Sequence, residues 1–204
     1  SEVSFKVLPI PEAETTVQVD DVDLSVAIQV MSAALGSPYD VTGAGYDPEA
    51  RKAYVRIEGF EGSVAYRAGR LSAELAQFGE TQQFDGSADL WRGIRDVSAF
   101  HGREGDVWRI SAKPSDAVAL AEQLQADAIQ FDWGGGLAWV LMPEGVDPRA
   151  RMKVPGHATL VRANCETRSR LGQFEPQPAP LEVISAGLRA KFDPRGILNA
   201  GLMG

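Results

Sequence analysis

Cysteine and histidine are nearly absent: the chain holds one cysteine, Cys165, and two histidines, His101 and His157. A single thiol cannot close an internal disulfide, and it lacks the second cysteine that a CxxC redox or zinc motif requires. The two histidines lie far apart in sequence with no further ligand set around them, so no metal site is expected. No apolar run approaches the roughly 20 residues needed to cross a bilayer, and no basic stretch followed by an apolar segment opens the chain. Neither a membrane span nor a signal peptide is expected, and the setting read from the residues is cytoplasmic. Clusters of Lys and Arg are missing too. The 28 acidic and 20 basic residues give a formal net charge of -8, with no basic track for a phosphate backbone, which argues against a nucleic-acid partner.

What is present suffices for a folded core. With 204 residues and 44% hydrophobic content, the chain suits one large domain or two small ones. It begins Ser1-Glu2-Val3 and is read as an excised fragment. Ser4 to Leu8 is an extended lead-in ended by Pro9-Ile10-Pro11. Thr15 to Val19 alternates and is β-branched. Asp21 or Asp23 then caps a helix from about Val22 to Leu35, stopped by Gly36. A strand at Tyr39 to Thr42, a turn through Gly43 to Pro48, a strand at Lys52 to Glu58, a helix from about Gly62 to Phe78 and a strand at Thr81 to Phe84 follow.

A helical connector at Ala88 to Arg95 leads to the same order again. The second set is a strand at Val107 to Ala112, a helix from Pro114 to about Gln125, strands at Ala128 to Asp132 and Leu137 to Leu141, a weak helix over Asp147 to Lys153, and a strand at His157 to Arg162. The expected fold is therefore α+β. Two ferredoxin-like β-α-β-β-α-β units, about 12–85 and 106–163, form a mainly antiparallel sheet with helices on one face. Gln173 to Pro180 reads as an extended connector, and Leu181 to Phe192 as a short amphipathic helix ended by Asp193-Pro194. The organisation is thus a domain over 1–172 and a tail over 173–204.

Strand alternation separates two faces. Trp108, Ile110 and Ala112 form an apolar row, whereas Arg109, Ser111 and Lys113 form a polar one. Ile129, Phe131 and Trp133 oppose Gln130 and Asp132. His157 and Thr159 extend the polar row, and Arg56 and Glu58 do so in the first unit. Helices are expected over the apolar rows, leaving the polar face towards water or a second domain. Arg109 is the leading candidate there, because a mid-strand guanidinium offers bidentate hydrogen bonds to a carboxylate. His157 is the candidate general base, since imidazole titrates near neutrality. Gly134-Gly135-Gly136 has no following Lys-Ser/Thr and precedes a strand, so a tight hairpin turn is expected rather than a phosphate loop.

The segment Phe192-Asp193-Pro194-Arg195-Gly196-Ile197-Leu198-Asn199-Ala200-Gly201 resembles the FDPxGxLNPG ending of FAD-linked oxidases of the vanillyl-alcohol oxidase superfamily. Phe5-Lys6-Val7-Leu8-Pro9 is similar to the strand that leaves their flavin domain. Trp108-Arg109-Ile110-Ser111, Asp132-Trp133-Gly134-Gly135-Gly136-Leu137-Ala138-Trp139 and Gly156-His157-Ala158-Thr159-Leu160-Val161-Arg162 resemble segments of the E-type FAD-binding subunits of glycolate oxidases. Ala200 and Leu202 depart from the family's ending.

The resemblance implies a cap domain whose sheet lies over a flavin held by an N-terminal FAD domain, with FAD as the cofactor. The implied activity is oxidation of a small 2-hydroxy acid to a 2-oxo acid, with the chain inactive on its own. The implied partners are that FAD domain, the related D-type flavoprotein of glycolate oxidase and an iron-sulfur subunit, and any membrane association would run through this complex. Arg109 and His157 are then catalytic candidates; Ser111, Lys113, Asp132 and Trp133 face substrate or flavin; Asn199 is the cofactor-binding candidate. The alternative is a non-catalytic tandem ferredoxin-like module that binds or assembles.

Overall fold

A computed structural model describes residues 2–7 and 9–199. After an exposed lead-in, β1 (Ala13–Val19) enters the sheet and α1 (Leu24–Leu35) follows. Asp23 is the residue that caps α1: its Oδ1 accepts the Val26 N–H at 2.9 Å, which satisfies one of the unpaired donors of the first turn. Asp21, the other candidate, instead pairs with Arg51. Gly36 ends the helix as expected.

The next hairpin corrects the sequence reading. β2 runs from Val41 to Asp47 and β3 from Lys52 to Gly59, so Gly43 to Tyr46 lie inside a strand and the turn falls at 48–51. The glycines are there for space, not for a turn. A Cβ at Gly43 would stand 3.0 Å from the Trp91 ring, and one at Gly45 would stand 3.1 Å from the Phe131 carbonyl oxygen.

The chain continues through α2 (Glu61–Leu75), β4 (Thr81–Asp85), α3 (Ala88–Asp96), β5 (Asp106–Ala112), α4 (Ala117–Leu124), β6 (Ala128–Asp132), β7 (Leu137–Met142) and β8 (Gly156–Arg162). The helix expected over Asp147 to Lys153 is a single 3-10 turn at Pro148–Ala150. Pro148 and Pro155 bracket too few residues for a stable helix, and proline disfavours helix in the residue before it. Two further helices close the described chain. The first, α5 (Cys165–Leu171), is not among the elements expected from sequence, although Asn164 Oδ1 caps it by accepting the Thr167 N–H at 2.7 Å. α6 (Ala179–Phe192) follows the connector.

All eight strands form one sheet in the order β4-β1-β3-β2-β6-β7-β5-β8, and every neighbouring pair is antiparallel. The α+β class expected from the sequence is therefore the observed one. Each half has the same strand order when counted from its own outer edge, and the halves meet where Tyr46 of β2 faces Phe131 of β6. One continuous core, holding Val17, Val55, Ile57, Trp108, Ile110 and Phe131, lies beneath α1, α2 and α4. The edge of β8 is covered by the connector, where Leu160 N–H donates to the Gln173 carbonyl at 2.8 Å and Ala158 N–H to Glu175 Oε2 at 3.1 Å. Such cover removes an exposed ladder that could pair with another chain.

Candidate functional site

The opposite, polar face carries the candidate residues. Cross-strand register sets Arg109 of β5 between Trp139 of β7 and Thr159 of β8, and Ser111 between Leu137 and His157. Arg109, Ser111, Thr159 and His157 thus share one patch, with His157 exposed on the edge strand. Lys113 is exposed one residue beyond β5 and keeps the same parity. Asp132 and Trp133 reach this patch from the β6–β7 turn, where the Arg109 guanidinium lies over the Trp133 ring at 5.0 Å from its centroid. Six of the sequence candidates are therefore gathered on one surface. Asn199 is not among them: it lies beyond α6 in the tail, exposed at φ 51°. Ala200, Gly201 and Leu202, and Leu8 of the lead-in, fall outside the described residues.

The turn that presents Trp133 is tightly specified. Trp133 itself has φ 53° and is 59% exposed, and Gly134 and Gly135 follow at φ 65° and 94°. Side chains other than glycine rarely adopt this left-handed region. Asp132 Oδ1 accepts the Trp133 N–H at 2.7 Å and so holds the start of the turn. Burial raises the Asp132 carboxyl above its ordinary range, against the lowering effects of that hydrogen bond and of the Arg56 charge. The glycines bear on α1 rather than on open space: a Cβ on Gly134 would stand 2.3 Å from Leu35 Cδ1, and one on Gly135 2.4 Å from Ile28 Cδ1. The run is a hairpin connection between β6 and β7, as expected, and is packed too closely against α1 to cradle a phosphate.

Beside Trp133 the face is hollowed into a cleft of about 530 Å³, closed on its other side by α3. This helix was read from sequence only as a connector. It lies across the polar face of the first half, where Trp91 and Ile94 pack on Tyr54, and reaches β6 of the second, where Gln130 Nε2 donates to the Ile94 carbonyl at 3.1 Å. A buried hydrogen-bond chain fixes Trp91. Its Nε1 donates to Thr16 Oγ1 at 2.8 Å, the Thr16 and Ser87 hydroxyls are 2.6 Å apart, and Ser87 donates to Glu14 at 2.6 Å. The Arg56 guanidinium stacks on Trp91 at 5.0 Å, and Arg92 and Arg95 line the same cleft from α3. Their i, i+3 spacing on a nine-residue helix was the one available signal; which side of the sheet that helix crosses was not written locally.

Compared with known proteins, the chain matches no family model and no curated protein. Chemically, the arrangement can hold a carboxylate on Arg109 by charge-assisted, paired hydrogen bonds. It also offers an aromatic surface at Trp133 and two proton-accepting groups, His157 and Asp132.

Proposed function

We propose that this chain is the cap portion of an FAD-dependent 2-hydroxy-acid oxidase, similar to the E-type FAD-binding component of glycolate oxidase, and that its polar sheet face covers the substrate. The observation that carries this reading is the Arg109 guanidinium on the open face, stacked on Trp133 with Ser111 and His157 from adjacent strands beside it. FAD, bound mainly by an N-terminal FAD domain, would supply the hydride acceptor for the substrate C2. Arg109 orients the substrate carboxylate, and His157 takes the hydroxyl proton.

The strand order of the two halves supports reading each as a ferredoxin-like unit. No pyrophosphate cradle is assigned to this chain, since the glycine run faces α1. The tail supports docking onto the flavin domain and the other oxidase subunits: Leu181, Ile184, Leu188 and Phe192 of α6 are all exposed. That tail also favours the second reading, a module that assembles without catalysing.

One mutant separates the two. In the full-length, flavin-loaded protein Arg109→Ala should reduce turnover about a hundredfold, because deleting a charged hydrogen-bond donor to substrate costs roughly 2–3 kcal/mol. Unchanged turnover with weakened association between subunits would establish the assembly role instead. A full-length protein that holds no flavin would refute the oxidase reading outright.

A further inference from the structure

We infer that the cleft between α3 and the β6–β7 turn binds a small carboxylate bearing an aromatic group. Within the function proposed above, on which this inference builds, the substrate is then an aryl-substituted 2-hydroxy acid and not glycolate. Size is the first argument. At about 530 Å³ the cleft falls within the roughly 300–1,000 Å³ of small-molecule sites, whereas glycolate has no substituent to cover its walls. One wall is the exposed ring of Trp133, and the other is α3, whose Trp91 lies buried beneath Arg56. Trp91 is locked by the hydroxyl chain through Thr16 and Ser87, and Trp133 is held out to solvent by a left-handed backbone. An exposed tryptophan kept in a conformation unfavourable to its own backbone points to a role for the ring, since strain of this kind persists at ligand sites.

Charge gives the second argument. Arg56, Arg92 and Arg95 line the cleft against Glu14 and Asp132, an excess of one positive charge in a chain of net charge -8. Arg56 is committed to Thr42 and Glu58. Among the described residues Arg92 and Arg95 pair with the exposed Asp89 and Asp96, and exposed ion pairs exchange readily for a ligand carboxylate. The ligand therefore lays its ring against Trp133 and its carboxylate among the arginines that flank that ring, Arg109 across Trp133 and Arg92 and Arg95 of α3.

Calorimetric titration of the chain with 3-phenyllactate, 3-phenylpropionate and glycolate tests this. The expected result is saturable binding of both aromatic acids, at least about tenfold tighter than glycolate, with a loss of roughly tenfold in Trp133→Gly and in the Arg92→Ala, Arg95→Ala double variant. Glycine at 133 suits the left-handed backbone, so the variant should keep its fold, which circular dichroism verifies. Equal binding of glycolate and phenyllactate, or undiminished binding by folded Trp133→Gly, would overturn the inference. Tight binding of both aromatic acids by the chain, with no oxidation of phenyllactate by the flavin-loaded full-length protein, would uphold the cleft and remove the oxidase reading.

Discussion

Three consecutive residues of positive φ, Trp133 to Gly135, sit where β6 returns into β7, and each has a different tolerance to change. Gly135→Ala should destabilise the fold by roughly 1–3 kcal/mol, the range for forcing atoms into a packed site, because its Cβ would be 2.4 Å from Ile28 Cδ1 at an already unfavourable φ. Urea unfolding checks this, and a change below about half a kilocalorie would mean that α1 yields easily. Tyr54, beneath α3, adds a pH dependence. Burial pushes its phenol up to about 12, against about 10 for a free tyrosine, so the fold requires it neutral. Its contribution is intact below about pH 10 and is lost as pH rises towards about 12. Tyr54→Phe should therefore raise the pH of alkaline unfolding, followed by tryptophan fluorescence. At this scale the sequence was informative where alternation applied: Arg109, Ser111, Asp132 and His157 fall on the face that parity assigns them. Trp91, Arg92 and Arg95 were out of reach, since their position depends on which side of the sheet α3 crosses.

Elements with caps and an unambiguous period were readable, and those shaped by neighbours were not. Asp23 and Gly36 are such local signals at the start and stop of α1, whereas the cap Asn164 stands before a seven-residue helix too short to show a period. Gly43 and Gly45, by contrast, mimic a turn but are strand residues thinned to admit the Trp91 ring and the β6 backbone. The same distinction separates α3 from α6. α3 buries Trp91 and Ile94 on the sheet, so Trp91→Ala should cost roughly 3–5 kcal/mol and strip Thr16 of its indole donor. α6 buries nothing. The connector before it does belong to the fold, through Gln173 and Glu175 on β8 and through Arg149 Nη1, which donates to the Phe174 carbonyl at 2.9 Å. A chain ending after Gln177 should therefore retain the stability of the full chain within about 0.5 kcal/mol, measured by chemical unfolding. A larger loss would mean that α6 has a packing surface on the sheet domain.

Across the whole molecule, one mainly antiparallel sheet built from two halves was expected from the sequence and is observed, but which strands meet at the junction was not legible, because no local pattern encodes a contact between strands so far apart in the chain. The junction is narrow in backbone terms, with Tyr46 opposite Phe131, and broad in side-chain terms. Phe131 is fully buried in a core shared by Val55 and Ile57 of one half and Trp108 and Ile110 of the other. α1 reinforces it by packing on both α4 and the β6–β7 turn. A shared core with no interface to part should unfold in one cooperative step, and removing its central ring should then be felt on both sides. Phe131→Ala is expected to cost roughly 3–5 kcal/mol and to lower amide-exchange protection in β1 and β3 as much as in β5 and β7. If protection fell only in the second half, or if two unfolding transitions appeared, the halves would be separate folding units that merely share a sheet. The face carrying Arg109 and Trp133 would then be free to move against the cleft walls contributed by α3, and binding across it should weaken along with the junction. A single transition instead means that Trp91 and Trp133 are held at fixed separation by the same core.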